Sequence, residues 1–225
     1  AVIGMALDRA GSSANDEALR RAARWVIGMQ SKNGGWGSFD VDNTHYYLNH
    51  IPFADHGALL DPPTADVSAR CLGFLAQAGY DKDHPALKAA VTYLRAEQED
   101  DGSWFGRWGT NYVYGTWSVL SALNAIGISP EDEAVRKAVA WLNLQQRADG
   151  GWGEDGDTYW HEHKGLAKTS TPTQTSWALL ALMAAGETDS GAVSNGIEYL
   201  IDAAHADGKW DKKLQPVSYT HLRAH

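Results

Sequence analysis

Cysteine is nearly missing. Cys71 is the only one in the 225 residues, which excludes an internal disulfide framework and a Cys-rich zinc site. Basic residues are in deficit, with 19 Lys+Arg against 28 Asp+Glu and a net charge of −9, which argues against a nucleic-acid partner. No apolar run approaches the roughly 20 residues of a membrane-spanning helix. Strand-like alternation is scarce. The start, "AVIGMALDRAG", carries no signal-peptide pattern and reads as the middle of a helix without a cap, so a truncated chain is expected. Hydrophobic residues make up 44% of the sequence, enough for a folded chain of one domain, or part of a larger one, with a real core.

What is present is a repeat. "QSKNGGW" runs from Gln30 to Trp36, "QEDDGSW" from Gln98 to Trp104 and "QRADGGW" from Gln146 to Trp152. "AHADGKW" ends on Trp210 with the same spacing but has Ala204 in place of the Gln. Asp-Gly or Gly-Gly lets the chain turn through backbone angles that other residues avoid. The Gln amide can bond exposed backbone groups at the start of a neighbouring helix. The Trp ring can cover that Gln and staple outer helices together. The motif is therefore read as structural.

Ahead of each turn lies an amphipathic helix. Leu87, Ala90, Val91 and Leu94 share one apolar face, as do Val135, Ala138, Val139 and Leu142. After each turn comes a loop and then a nearly all-apolar helix, with Thr64, Thr116 and Thr171 as candidate caps and a Gly as the stop. The intervals between turn tryptophans are unequal, which places insertions in the loops. A unit this small cannot bury its own apolar face, so units must stack. Alternating apolar and amphipathic helices predict two concentric layers: an all-α fold, an α/α barrel of helix pairs joined by these turns.

The repeat resembles the QW motif of triterpene cyclases. "GGWGSFDVDNT", "DPPTADVSAR", "DGSWFGRWGTNYVYGTW" and "STPTQTSWALLAL" resemble the C-terminal half of the squalene–hopene cyclase family across nearly all of residues 1–215. The last ten residues, "PVSYTHLRAH" (216–225), leave the pattern and are read as a non-native, adapter-derived tail. The resemblance implies cyclisation of squalene, or a similar polyprene, to hopene or hopanol without a cofactor. An Asp-rich D-x-D-D-T-A motif would protonate a terminal double bond, and aromatic rings would hold the migrating cation. That motif is absent here, and "AVIGMAL" resembles the helix that follows it. The 225-residue chain alone is therefore expected to be inactive. The resemblance also implies a membrane surface as partner, on the cytoplasmic face of a membrane, and allows a homodimer.

Site residues follow from the same resemblance, one by one. Asp66 and Arg70 match positions that support the catalytic acid. Arg70 departs from a His in the best-known bacterial member, and it is a permanent cation that cannot shuttle a proton. Trp108 matches an aromatic of the substrate cavity. Tyr114 matches a residue of the water network near the acid. Phe39 stands where that member has Tyr. Beside these roles stand plainer ones: a helix-start acid for Asp66, a loop staple for Trp108, ordinary packing for Tyr114 and Phe39.

Other features are read as weak. Asp40 and Asp42 in "DVDNT" pair two carboxylates but belong to a different segment of the family pattern; a loop bonding its own backbone suffices. His45, His50, His56, His161 and His163 lack organised acidic or Cys support, and no metal is expected. Cys71 has Ala69 two residues before it, where the zinc set of related protein prenyltransferases would need Asp. Three rivals remain: another class II terpene cyclase, a non-catalytic α/α-barrel binding module, and a carbohydrate-active α/α barrel. The last needs a carboxylate pair across a polar cleft, against which the apolar inner helices speak. An upstream D-x-D-D would favour a cyclase over the binding module.

Overall fold

The computed structural model describes residues 1–11, 15–45, 47, 60–164 and 169–204. Trp210, His50, His56 and the 216–225 segment lie outside the described residues. The described chain is helical: α1 (Val2–Arg9), α2 (Asp16–Gly28), α3 (Ala65–Gln77), α4 (Pro85–Ala96), α5 (Tyr112–Ala125), α6 (Glu133–Gln145), α7 (Pro172–Ala184) and α8 (Gly191–Ala203). Two short 3₁₀ turns, Gly156–Tyr159 and His161–His163, precede α7. Among the described residues there is no strand, only one isolated bridge between Asn43 and Asp61.

The helices start and stop where local chemistry requires. The side chains of His84, Asp132, Thr171 and Ser190 accept backbone N–H groups in the first turns of α4, α6, α7 and α8. Gly79, Gly127 and Gly186 follow α3, α5 and α7 with φ of 85°, 75° and 88°, the left-handed stop that glycine takes without strain. Thr64 does occupy the cap position of α3. Thr116 does not cap α5. It lies inside the helix, whose cap residue is Asn111, because its hydroxyl is engaged elsewhere and a distant carboxylate serves the helix start.

Helices α3, α5 and α7 pack side by side, with α1 against α3, while α2, α4, α6 and α8 pack outside that row. Leu72, Leu75, Leu120, Leu123 and Leu182 from the inner row meet Leu87, Leu94 and Leu142 from the outer helices in a fully buried core. Val91 and Val139 are partly buried at its edge. The inner helices are covered on most sides, so they read as apolar; the outer ones bury one face.

The turn motif joins both layers three times over. Nε2 of Gln30, Gln98 and Gln146 donates to the turn carbonyls of Gly34, Gly102 and Gly150. The same nitrogen donates to Ala86, Ala134 and Ala192 in the first turn of the next outer helix. The indole N–H of Trp36, Trp104 and Trp152 donates back to Val26, Leu94 and Leu142. Their backbone N–H groups donate to Ser68, Thr116 and Thr175 on inner helices. That engagement is what takes Thr116 away from a capping role. All three tryptophans are fully buried, lying between the layers rather than over the surface. An indole exposes too much apolar area to stay outside, and once buried its N–H needs an acceptor.

Candidate functional site

Asp66 is the second residue of α3 and is 0% exposed. The Thr64 hydroxyl donates to its Oδ1 at 2.6 Å, and the Trp108 backbone N–H donates to its Oδ2 at 2.9 Å. One carboxylate thus ties the start of α3 to the loop ahead of α5. Arg70 follows one helical turn later, and Tyr114 comes from the first turn of α5.

Phe39 arrives on the loop after the first turn. Asp61, itself buried, fixes that loop by accepting the N–H groups of Ser38, Phe39 and Asp40 at 2.5–2.9 Å. The Phe39 and Trp108 rings meet edge to face, with centroids 6.0 Å apart and planes at 88°. The structure brings Phe39, Asp66, Arg70, Trp108 and Tyr114 around one cavity of about 320 Å³. Phe39, 73% exposed, and Trp108, 40% exposed, form its rim; Asp66 is at its base.

Electrostatics follow from burial. The Tyr114 phenol is pushed up by burial and by the Asp66 charge, while the Arg70 guanidinium pulls it the other way. Burial pushes the Cys71 thiol, also on this cavity, up to about 12, so it is a small apolar wall and not a nucleophile or ligand.

Arg70 also lines a second, larger groove of about 1120 Å³ along α1, α3 and α5. Its Cζ lies 4.2 Å from the Trp117 ring centroid and 5.9 Å from that of Tyr114. Trp117 stacks on Trp177 at 5.7 Å and 8°, and Tyr114 leans on Trp177 at 5.3 Å. Sequence reasoning missed these two tryptophans. The signal was present: both sit on inner helices beside the Thr that anchors a turn tryptophan, Trp117 next to Thr116 and Trp177 two after Thr175.

Glu154 was missed as well. It is buried and accepts the N–H groups of Asn111, Tyr112 and Val113 at 2.9, 3.1 and 2.7 Å, capping α5 from another repeat. Burial pushes its carboxyl above the ordinary range, against the pull of those donors and of Lys164.

Asp40 and Asp42 do not line the cavity. Asp42 accepts the Lys32 N–H and pairs with the Lys32 ammonium at 3.5 Å. Asp40 accepts from Asn43. Among the described residues, no group of three or more His, Cys, Asp or Glu side chains is placed to hold a metal ion.

The cavity is rimmed by aromatic rings, with one buried acid and one permanent cation on its wall. Residues 1–218 match the family described as "Squalene-hopene cyclase C-terminal domain". The chain belongs to this family. It is 60% identical over 210 residues to the squalene-hopene cyclase of Schizosaccharomyces japonicus, covering 93% of this chain and 32% of that protein. It is 55% identical over 216 residues to that of Zymomonas mobilis, covering 93% and 33%. The chain therefore spans about a third of the length of these relatives. In fold it is similar to a type II terpene cyclase from Scytonema solved in complex with geranylgeranyl dihydroxybenzoate, with a TM-score of 0.60 at 21% identity over 88% of this chain and 52% of the other.

Proposed function

We propose that this chain forms the acid-supporting and cation-holding wall of a squalene–hopene cyclase. The observation that carries the reading is the meeting of Asp66, Arg70, Phe39, Trp108 and Tyr114 at one cavity. An alkene is a poor base, so its protonation needs an unusually strong acid. In this reading the acid is a carboxyl group supplied from outside these 225 residues. Arg70 favours the carboxylate that remains after the proton leaves, and so strengthens the acid. Asp66, through its bond to the Trp108 backbone, sets the height of the Trp108 ring at the rim.

The chemistry then proceeds on the substrate. The terminal π pair takes the proton and forms a C–H bond. Each following double bond donates its pair to the cation, closing a ring, until a base takes a proton or water adds. Phe39, Trp108 and Tyr114 offer ring faces to a passing cation once the rest of the protein closes the space to water. A squalene dissolved in a bilayer would reach this site from a membrane surface; we place the whole protein peripherally on the cytoplasmic face. Among the described residues no helix is long and apolar enough to cross a membrane.

The test incubates two preparations with detergent-dispersed squalene and analyses the extracts by gas chromatography–mass spectrometry. A full-length protein containing this chain should yield hopene or hopanol, and the 225-residue chain alone should yield none. Hopene from the chain alone would refute the need for an outside acid. Product from another polyprene, with none from squalene, would move the reading to a different class II terpene cyclase.

A further inference from the structure

We propose that Trp117, backed by Trp177, is a positioning residue that fixes the Arg70 guanidinium at the junction of the two cavities. The proposal rests on the cyclase reading for its consequence in turnover, but on geometry alone for the positioning itself.

Arg70 is half-buried, and among the described residues it takes part in no ion pair. Asp66, one turn away on the same helix, directs its two oxygens to Thr64 and to the Trp108 backbone instead. What holds the guanidinium is the Tyr114 hydroxyl, which accepts a hydrogen bond from it, and an aromatic face. The Trp117 ring lies 4.2 Å from its Cζ, close enough for a stacked cation–π contact. Trp117 cannot swing away freely, because Trp177 of α7 lies parallel behind it. The pair therefore acts as a rigid plate carried by two inner helices, α5 and α7.

The arrangement has a chemical advantage. A carboxylate partner would hold Arg70 equally well but would neutralise it and spend its field. A ring holds the guanidinium and leaves its charge free to act on whatever acid enters the cavity. A planar, permanently charged group is suited to this plate in a way that a lysine ammonium is not. Arg70 is also the residue shared by both cavities, so its direction decides which of them feels the charge. Trp117 offers no atom to the smaller cavity, so it acts through Arg70 rather than on the substrate.

Two measurements test this. In a full-length protein containing this chain, isotope-labelled at arginine, NMR of the side-chain Nε–H groups should show Arg70 displaced by the ring current of Trp117. Trp117→Leu should return that signal to the position of a free arginine, and Trp117→Phe should leave it between the two. An Arg70 signal indifferent to both substitutions overturns the positioning.

In a full-length protein containing this chain, Trp117→Leu should lower kcat roughly tenfold or more with little change in KM, and Trp117→Phe should recover much of the loss. Combined with Arg70→Gln, Trp117→Leu should add no further loss, because its effect runs through Arg70. Losses that multiply would mean that Trp117 acts independently, and would overturn the proposal. If the unmodified full-length protein cyclises nothing, the functional reading fails while the NMR result still decides the positioning. Should Trp117→Leu unfold, Trp117→Phe alone gives both readouts.

Discussion

Gln98 shows how narrow the chemistry of a repeat residue is. Its amide nitrogen donates to two carbonyl oxygens, Gly102 at 2.8 Å and Ala134 at 2.9 Å. Only a side chain with two N–H bonds on one atom meets that demand. Gln98→Glu keeps the shape but faces both carbonyls with an anion. It should cost about 1–3 kcal/mol in urea unfolding at pH 7. The loss should shrink once the carboxyl is protonated and its O–H donates to one of the two. A loss unchanged between pH 7 and pH 3 would mean that shape, not donation, matters. Gly102 and Gly79 allow a second comparison. Both have positive φ, 96° and 85°. A Cβ on Gly102 would lie 2.5 Å from the Lys137 carbonyl oxygen, whereas one on Gly79 meets nothing within 4 Å. Gly79→Ala should cost only the backbone term, about 1–2 kcal/mol. Gly102→Ala should cost more, because a fixed helix carbonyl must also move. Equal melting temperatures for the two variants would refute the role of close approach.

At the scale of elements, the loop before α7 does more than connect. It folds back over the preceding repeat. The Tyr159 hydroxyl donates to the Gly109 carbonyl at 2.9 Å, and Asn111 Nδ2 donates to that of Thr158 at 3.1 Å. Lys164 Nζ reaches Asp101 at 2.8 Å and Ser103 Oγ at 2.6 Å, with the Tyr112 ring 3.8 Å beneath it. Burial lifts the Asp101 carboxyl, but Lys164 and Ser103 outweigh it and hold the group below its usual range. A carboxyl lowered in the folded state stabilises above its unfolded pKa, and that contribution fades as pH falls through the folded one. Lys164→Met should therefore lose stability at pH 7, and the gap to the unmodified chain should close below about pH 4. A gap constant with pH would place the effect in packing over Tyr112.

Such ties explain what was legible in the sequence. The helix pairs and their glycine stops depend on neighbours a few residues away, so periodicity and the Gln-to-Trp spacing expose them. Glu154 and Asp61 bond backbone groups far along the chain, and a lone acid in a loop looks the same whether solvated or buried. Thr116 was misread because Glu154 caps α5 from a distance. Trp117 looked like one more apolar position on an inner helix, since its cation sits on another. Asp66, Arg70, Phe39, Trp108 and Tyr114 were named only through family resemblance; nothing in their spacing shows that they share a cavity.

For the whole molecule, the inner row of helices leaves a groove of about 1120 Å³ along α1, α3 and α5. Val2, 62% exposed, and Leu180, 49% exposed, line it. Large apolar side chains exposed along one groove are the kind of surface that other protein covers. The relatives, about three times as long, have further chain with which to cover it. The 225-residue chain should therefore bind a hydrophobic dye and sediment as oligomers or as a detergent complex, and a full-length protein containing it should do neither at the same concentration. The same surface links fold to chemistry. In the proposed cyclase, a cation on Trp108 or Tyr114 would survive only where water is kept out, because water would capture it before the next ring closes. Dye binding and cyclisation should thus exclude each other across a series of truncated forms: each form that closes the groove gains product and loses dye, and each that opens it does the reverse. A truncated form that binds dye strongly and still makes hopene at the full-length rate would show that the smaller cavity stays dry by itself. The groove would then have no part in protecting the cation.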